Sequence, residues 1–175
     1  MMQDAYIPIL GFAAFSGTGK TTLLEQIIPL LKQHGLRIAL IKHSHHNFQI
    51  DQPGKDSFRL RTAGASPVML ISSHRRAIIT EFATVQEPKL NDQLKLFDQS
   101  ELDLILVEGF KAEVFPKIEL HRAAMNKPLL YPNDPNIIAI ATDTTLVTAN
   151  TPTQLDINQP DMIATFILKQ FLRLI

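Results

Sequence analysis

The chain has 175 residues, 17 basic and 17 acidic side chains, and an apolar fraction of 45%. That length suits one domain with a packed core, and neutral charge with this apolar content argues against disorder and against general nucleic-acid binding. The absence of cysteine removes disulfides, Cys-ligated metals and thiol nucleophiles.

Residues 7–14 read as a buried strand. Residues 20–34 read as a helix with Leu24, Ile27, Ile28 and Leu31 on one face; Pro29 should bend it or weaken a turn, and Gly35 should cap it. A second strand is expected at 37–43, then a polar His-rich loop over 44–54 and a short helix over 56–63 closed by Gly64. Residues 68–72 and 76–82 read as a hairpin turning at Ser73-His74-Arg75. A helix is expected at 89–98 and an apolar strand at 102–107. Residues 117–121 alternate and read as an edge strand. Another buried strand is expected at 136–141, and a closing helix at 161–174.

Strands with contiguous apolar residues are buried on both faces, which marks a largely parallel sheet sandwiched by helices. The expected fold is therefore a single α/β domain over residues 1–175, with an antiparallel hairpin added. The amino end, Met1-Met2-Gln3-Asp4, lacks the basic region of a signal peptide. No apolar run reaches the roughly 18 residues of a membrane span. The expectation is a cytoplasmic protein that engages neither membrane nor nucleic acid. Residues 55–76 carry Lys55, Arg59, Arg61, Arg75 and Arg76 against Asp56 alone. That stretch is either a solvated face or a basic rim around an anionic ligand.

The strongest feature is Ala14-Phe15-Ser16-Gly17-Thr18-Gly19-Lys20-Thr21-Thr22, between a predicted strand and a predicted helix. It is a phosphate-binding loop (P-loop), with Ala14 where the pattern has its first glycine. Glycines and small residues let backbone N–H groups wrap a phosphate, and the helix N-terminus adds positive charge. Ser16, Gly17, Thr18, Gly19, Lys20, Thr21 and Thr22 are the candidate phosphate ligands. Lys20 reaches the β- and γ-phosphates and Thr21 can ligate Mg²⁺.

The strand at 102–107 runs into Glu108-Gly109. A carboxylate at that strand end holds Mg²⁺ or its water, or polarises the attacking water. Lys20 and Glu108 are thus the catalytic candidates, and Thr21 and Glu108 the metal candidates. Asp103, at the other end of the strand, reads as structural. The polar segment His43-Ser44-His45-His46 and Asp51-Gln52-Pro53-Gly54-Lys55-Asp56 occupies the place of a switch loop, with Asp51 and Lys55 as candidate nucleotide contacts. The histidines also allow a Zn²⁺ or Ni²⁺ site. Gly11 has no evident reason to be glycine.

An ordered set of motifs extends beyond the P-loop. It comprises Ile41-Lys42-His43-Ser44-His45-His46, Asp51-Gln52-Pro53-Gly54-Lys55-Asp56-Ser57, Arg61-Thr62-Ala63-Gly64-Ala65, Asp103-Leu104-Ile105-Leu106-Val107-Glu108-Gly109-Phe110-Lys111 and Pro116-Lys117-Ile118-Glu119-Leu120-His121-Arg122. The set resembles the MobB family of molybdopterin-guanine dinucleotide biosynthesis adaptor proteins. The resemblance implies a P-loop α/β fold, GTP bound with Mg²⁺, weak GTPase activity and a homodimer. It also implies work with the MobA guanylyltransferase and with molybdoenzyme maturation proteins, and molybdopterin guanine dinucleotide as a further candidate ligand.

GTP preference follows from the resemblance and not from a readable motif. Asn126-Lys127-Pro128-Leu129 lacks the aspartate of the guanine-reading Asn-Lys-x-Asp pattern; Asp143, after the strand at 136–141, is the better-placed candidate for a base contact. Three alternatives stay open: a small-molecule P-loop kinase, a nickel-type metallochaperone GTPase using the histidine cluster, and a scaffold with a vestigial P-loop.

Overall fold

The computed structural model describes residues 2–44, 47–148 and 150–174. The chain divides into two compact units, Met1–His43 with Lys89–Ile175, and Ser44–Pro88.

The larger unit holds six parallel strands: β1 (Ile9–Ala13), β2 (Ile38–Lys42), β5 (Leu104–Glu108), β6 (Lys117–His121), β7 (Ile137–Thr142) and β8 (Thr153–Asp156). Their order is β2-β5-β1-β6-β7-β8. Every pairing is parallel. All C-terminal strand ends therefore share one edge, where α/β sheets take their ligands. This is the P-loop NTPase fold.

Alternation along the strands sorts side chains onto two cores. Leu10, Phe12, Leu104, Leu106, Ile118 and Leu120 pack with Leu24, Ile27 and Leu31 of α1 (Lys20–Gln33) and with Ile163 and Ile167 near the carboxyl end. Ile9, Ile105 and Val107 pack with Leu90 and Leu94 of α3 (Leu90–Leu94) and with Phe115 on the other face. Helix α1 runs unbroken through Pro29, which lies on its exposed side, where water can satisfy the carbonyl left without a donor. Gly35 follows the helix at φ 82°, as a C-terminal cap requires.

Two expectations need correction. The alternating segment Lys117–His121 is not an edge strand: β6 lies between β1 and β7, and Lys117 and Glu119 are each 1% exposed. The alternation comes from buried charges with dedicated partners. Lys117 Nζ donates to Asp134 Oδ2 at 2.9 Å and to the Glu113 carbonyl at 2.6 Å, and Glu119 accepts from the Leu130 and Tyr131 amides, both at 2.8 Å. The edges are β2 and β8, and the polar sequence of β8, Thr-Gln-Leu-Asp, buries only Leu155. The closing helix is α only over α4 (Pro160–Phe166) and widens into a π turn over Ile167–Phe171. Its consecutive residues Phe166, Ile167 and Leu168 are all buried, which an ideal helical stripe does not allow.

In the smaller unit, α2 (Asp56–Thr62) precedes a hairpin of β3 (Val68–Ile71) and β4 (Arg76–Ile79), with Met69 opposite Ile78. None of the described residues of this unit is fully buried. Among the described residues no helix is long and apolar enough to cross a membrane.

Candidate functional site

The loop between β1 and α1 is shaped by two glycines in the left-handed region, Gly17 at φ 82° and Gly19 at φ 99°. A Cβ at Gly19 would meet nothing within 4 Å, so conformation and not space demands glycine there. Ala14 is fully buried and stays outside the left-handed region, so alanine fits the first position of the motif. Thr18 is 3% exposed and its hydroxyl donates to the Phe15 carbonyl at 2.9 Å, closing the loop on itself.

Gly19 is the N-cap of α1, with no side-chain capping bond and no acidic residue in the first turn. The first amides of a 14-residue helix thus have no side-chain acceptor, an arrangement suited to an anion. Lys20 folds back over it, its Nζ donating to the Ala14 and Phe15 carbonyls at 3.5 and 3.4 Å. Burial lowers the Lys20 pKa from its ordinary value; Glu108 opposes the shift, and Lys111 and Lys42 add to it.

Glu108 ends β5 between its register partners Phe12 of β1 and Lys42 of β2. Its side chain is 13% exposed and its Oε2 lies 3.2 Å from Lys42 Nζ. Gly109 follows at φ 101°, and a Cβ there would come within 2.7 Å of His43 Cβ. Glycine is needed because this turn passes against the end of β2, where the His43 amide donates to the Glu108 carbonyl at 2.8 Å and the His43 ring stacks on Phe110.

On the other side of the loop, Arg122 follows β6. Its Nε donates to the Thr18 carbonyl at 3.3 Å and its Nη1 to Asn158 Oδ1 at 3.2 Å. Lys111 and Lys127 lie over the Phe15 ring, at 5.3 and 5.8 Å from its centre. Lys20, Lys42, Lys111, Arg122 and Lys127 thus gather at one edge of a chain with no net charge, a field suited to a polyphosphate.

The donors present also fit Mg²⁺. Thr21, exposed in the first helical turn, and Glu108 offer hard oxygen ligands. Among the described residues no group of three His, Asp or Glu side chains could hold a metal by itself. That suits an ion that keeps waters and takes phosphate oxygens as ligands. Two residues of the histidine cluster, His45 and His46, lie outside the described residues.

Asp51 and Lys55 belong to the smaller unit. The Asp51 carboxylate is 4% exposed and takes both Nη2 and Nε of Arg61, at 2.9 and 3.3 Å; Arg61 also pairs with Glu81. Lys55 is exposed at the start of α2. Within the larger unit a cavity of about 570 Å³ lies at the opposite end of the sheet beside Tyr6, Phe97 and Leu102, and none of Lys20, Lys42, Lys111, Arg122 and Lys127 lines it.

A family model described as MobB, molybdopterin guanine dinucleotide synthesis protein B, matches residues 9–143. The chain belongs to the MobB family. It is 49% identical over 168 residues to the molybdopterin-guanine dinucleotide biosynthesis adapter protein of Haemophilus influenzae, covering 95% of this chain and 91% of that protein. It is 46% identical over 171 residues to the Escherichia coli protein of the same name, covering 97% and 96%. A crystal structure of molybdopterin-guanine biosynthesis protein B superposes with TM-score 0.71 at 25% identity, over 92% of this chain and 98% of that one. A Bacillus subtilis MobB structure superposes at 0.73 with 24% identity, over 94% and 98%, and shows the shared fold.

Within this MobB chain the P-loop, Lys20 and Glu108 come together at one edge. Lys111, Arg122 and the ring of Phe15 join them, although the motifs singled out no role for these three. Arg122 was legible in principle. In a parallel sheet the residue after each strand lands at the ligand edge, and Arg122 follows β6 directly.

Proposed function

We propose that this chain is a GTP-binding adapter in molybdopterin guanine dinucleotide biosynthesis, with weak GTPase activity. The observation that carries the nucleotide reading is the uncapped, acid-free start of α1, entered through left-handed Gly17 and Gly19 and overhung by Lys20. The pathway follows from relatives named as adapter proteins of that biosynthesis at 46–49% identity.

In this reading the amides of Gly17–Thr22 hold the phosphates and Lys20 neutralises them. Thr21 and Glu108 hold Mg²⁺, which when bound supplies charge neutralisation across the β- and γ-phosphates. Glu108 must first leave Lys42, and the freed ammonium adds a cation at the same edge. The Asp51–Asp56 segment is proposed to respond to the γ-phosphate. The proposed partners are the MobA guanylyltransferase and molybdoenzyme maturation proteins, with molybdopterin guanine dinucleotide as a further ligand, in the cytoplasm. A homodimer is supported by the hairpin β3–β4, where Met69, Ile71 and Ile78 are each more than half exposed. A two-stranded hairpin is marginal without a covering surface.

Calorimetry with GTP and Mg²⁺ tests the core of this reading. Wild type should bind GTP, and Lys20→Ala should lose the binding; equal affinity in the variant refutes the P-loop assignment. Co-purification from cells making a molybdoenzyme, with and without GTP, tests the adapter role. Recovery of neither the guanylyltransferase nor a maturation protein in either condition counts against it.

A further inference from the structure

A second polar cavity, about 270 Å³, opens at the same edge of the sheet, at the C-terminal ends of β7 and β8. Its walls include Thr142, Asp143, Thr144, Gln154, Asp156 and Asn158. We propose that this cavity seats the base of the nucleotide and that Asp143 is the residue that selects guanine. The proposal rests on the nucleotide-binding reading and adds to it the specificity-determining side chain.

Position comes first. Lys20 and Glu108 occupy the side of the P-loop toward β5 and β2, so the rest of a nucleotide must run toward β6, β7 and β8. From β1 to β7 is two strand spacings, about 10 Å. A nucleoside spans that. Arg122 links the two places physically, bonding the Thr18 carbonyl of the P-loop and the Asn158 amide oxygen of the cavity.

The cavity is also held in shape. Gln154 bonds both the amide and the carbonyl of Leu146, at 2.9 and 2.8 Å, which pins the loop that follows Asp143. Two acidic side chains line the space, and their hydrogen bonds distinguish them. Both oxygens of Asp156 are used within its own turn, by the Asn158 amide at 2.8 Å and by Gln159 Nε2 at 3.1 Å. Asp143 spends Oδ1 on the Ala123 amide at 3.0 Å, and its Oδ2 lies 3.7 Å from Arg122 Nη1, beyond hydrogen-bond reach.

An ionised carboxylate only accepts hydrogen bonds. Guanine offers it N1–H and the exocyclic amine. Adenine would turn its N1 lone pair toward the same charge. The choice of guanine over adenine follows from that difference, since leaving or opposing a polar group in a site costs far more than omitting a contact.

Asp143→Asn tests this without disturbing the neighbouring loop, because the amide oxygen can still accept from Ala123. Binding of GTP, XTP, ATP and base-free tripolyphosphate is measured by calorimetry with Mg²⁺. The expected result is GTP weakened about 10- to 100-fold, XTP strengthened, and tripolyphosphate unchanged. Xanthine fits the amide because its C2 carbonyl accepts where guanine donates. GTP affinity within twofold of wild type overturns the proposal, as does a parallel loss of all four ligands. Lys20→Ala, run beside it, separates the two readings. If that variant loses every ligand and Asp143→Asn changes nothing, only the base assignment fails. If wild type itself binds no GTP, both fail.

Discussion

Lys42 Nζ lies 3.2 Å from Glu108 Oε2, across a parallel pair in which the two residues are register partners at the ends of β2 and β5. The proposed Mg²⁺ ligand is therefore held by a lysine that is itself half exposed. Ion pairs of such exposure contribute about 0.2–1 kcal/mol, a contact that an incoming cation can displace. Lys42→Ala should lower the Mg²⁺ concentration needed for half-maximal GTP binding, by up to about fivefold given that range. Glu108→Gln should raise it while leaving binding of Mg²⁺-free tripolyphosphate intact. A Mg²⁺ titration of GTP affinity in both variants checks this. Movement of the two in the same direction contradicts the pairing.

Lys20 gives the site an alkaline limb. Burial, the largest influence, holds its pKa below the ordinary 10.5, with Glu108 opposing and Lys111 and Lys42 assisting. Between the lowered value and 10.5 the unfolded chain binds more protons than the folded one, so this residue's penalty on stability lessens as pH rises through that window. Anion binding has the opposite sign, because a bound phosphate needs the ammonium. Affinity for tripolyphosphate, which carries no base titrating in this range, should fall as pH climbs toward 10.5. Lys20→Arg keeps its charge there and should flatten the fall. An identical alkaline limb in that variant would mean that another group is responsible.

The sheet and its P-loop were legible because contiguous apolar runs and a glycine-rich loop are local signals. The interior place of β6 was not. Lys117 and Glu119 look like solvent-facing residues until Asp134, the Glu113 carbonyl and the Leu130 and Tyr131 amides are brought to them from elsewhere in the chain. β8 stayed hidden because an edge strand needs only one buried residue, here Leu155. The π turn after Phe166 escaped because periodicity reads a stripe and not a change of pitch. At the site, Lys20 and Glu108 were readable from motif and strand end. Arg122 and Asp143 were readable only as residues that follow strands; that Arg122 bonds the P-loop and that Asp143 lines a cavity with β8 depends on the strand order β1-β6-β7-β8, which no local pattern carries. Asp103, expected to be structural, pairs through both oxygens with Arg37, which holds its carboxyl at a pKa of about 2.

Gly11 shows a different kind of demand. Its conformation is ordinary for a strand, but a Cβ there would sit 2.5 Å from Phe115 Cε2 and 3.1 Å from Lys117 Cγ. Phe115 is 3% exposed and has little room to retreat. Overpacking of this kind costs about 1–3 kcal/mol. Gly11→Ala should lower the unfolding free energy by that amount, read as a lower urea midpoint with an unchanged denaturant slope. Adding Phe115→Leu should recover part of the loss. Full stability in the single variant would show that the ring can move aside.

The proposed homodimer makes a prediction about the hairpin. Met69 and Ile78 are direct cross-strand partners, 56% and 54% exposed, and Ile71 on the same hairpin is 74% exposed. Exposed apolar side chains paired on a small two-stranded sheet invite a covering surface, because the hairpin cannot bury them alone. If a second copy provides that cover, Met69→Asp with Ile78→Asp should place two carboxylates opposite each other in the interface. Repulsion and desolvation should then shift the protein to monomer in sedimentation equilibrium. The P-loop lies in the other unit, so tripolyphosphate affinity should stay within about twofold of wild type, less than the tenfold that 1.4 kcal/mol would give. A wild-type protein that sediments as a monomer removes the dimer. A double variant that stays dimeric moves the interface away from the hairpin.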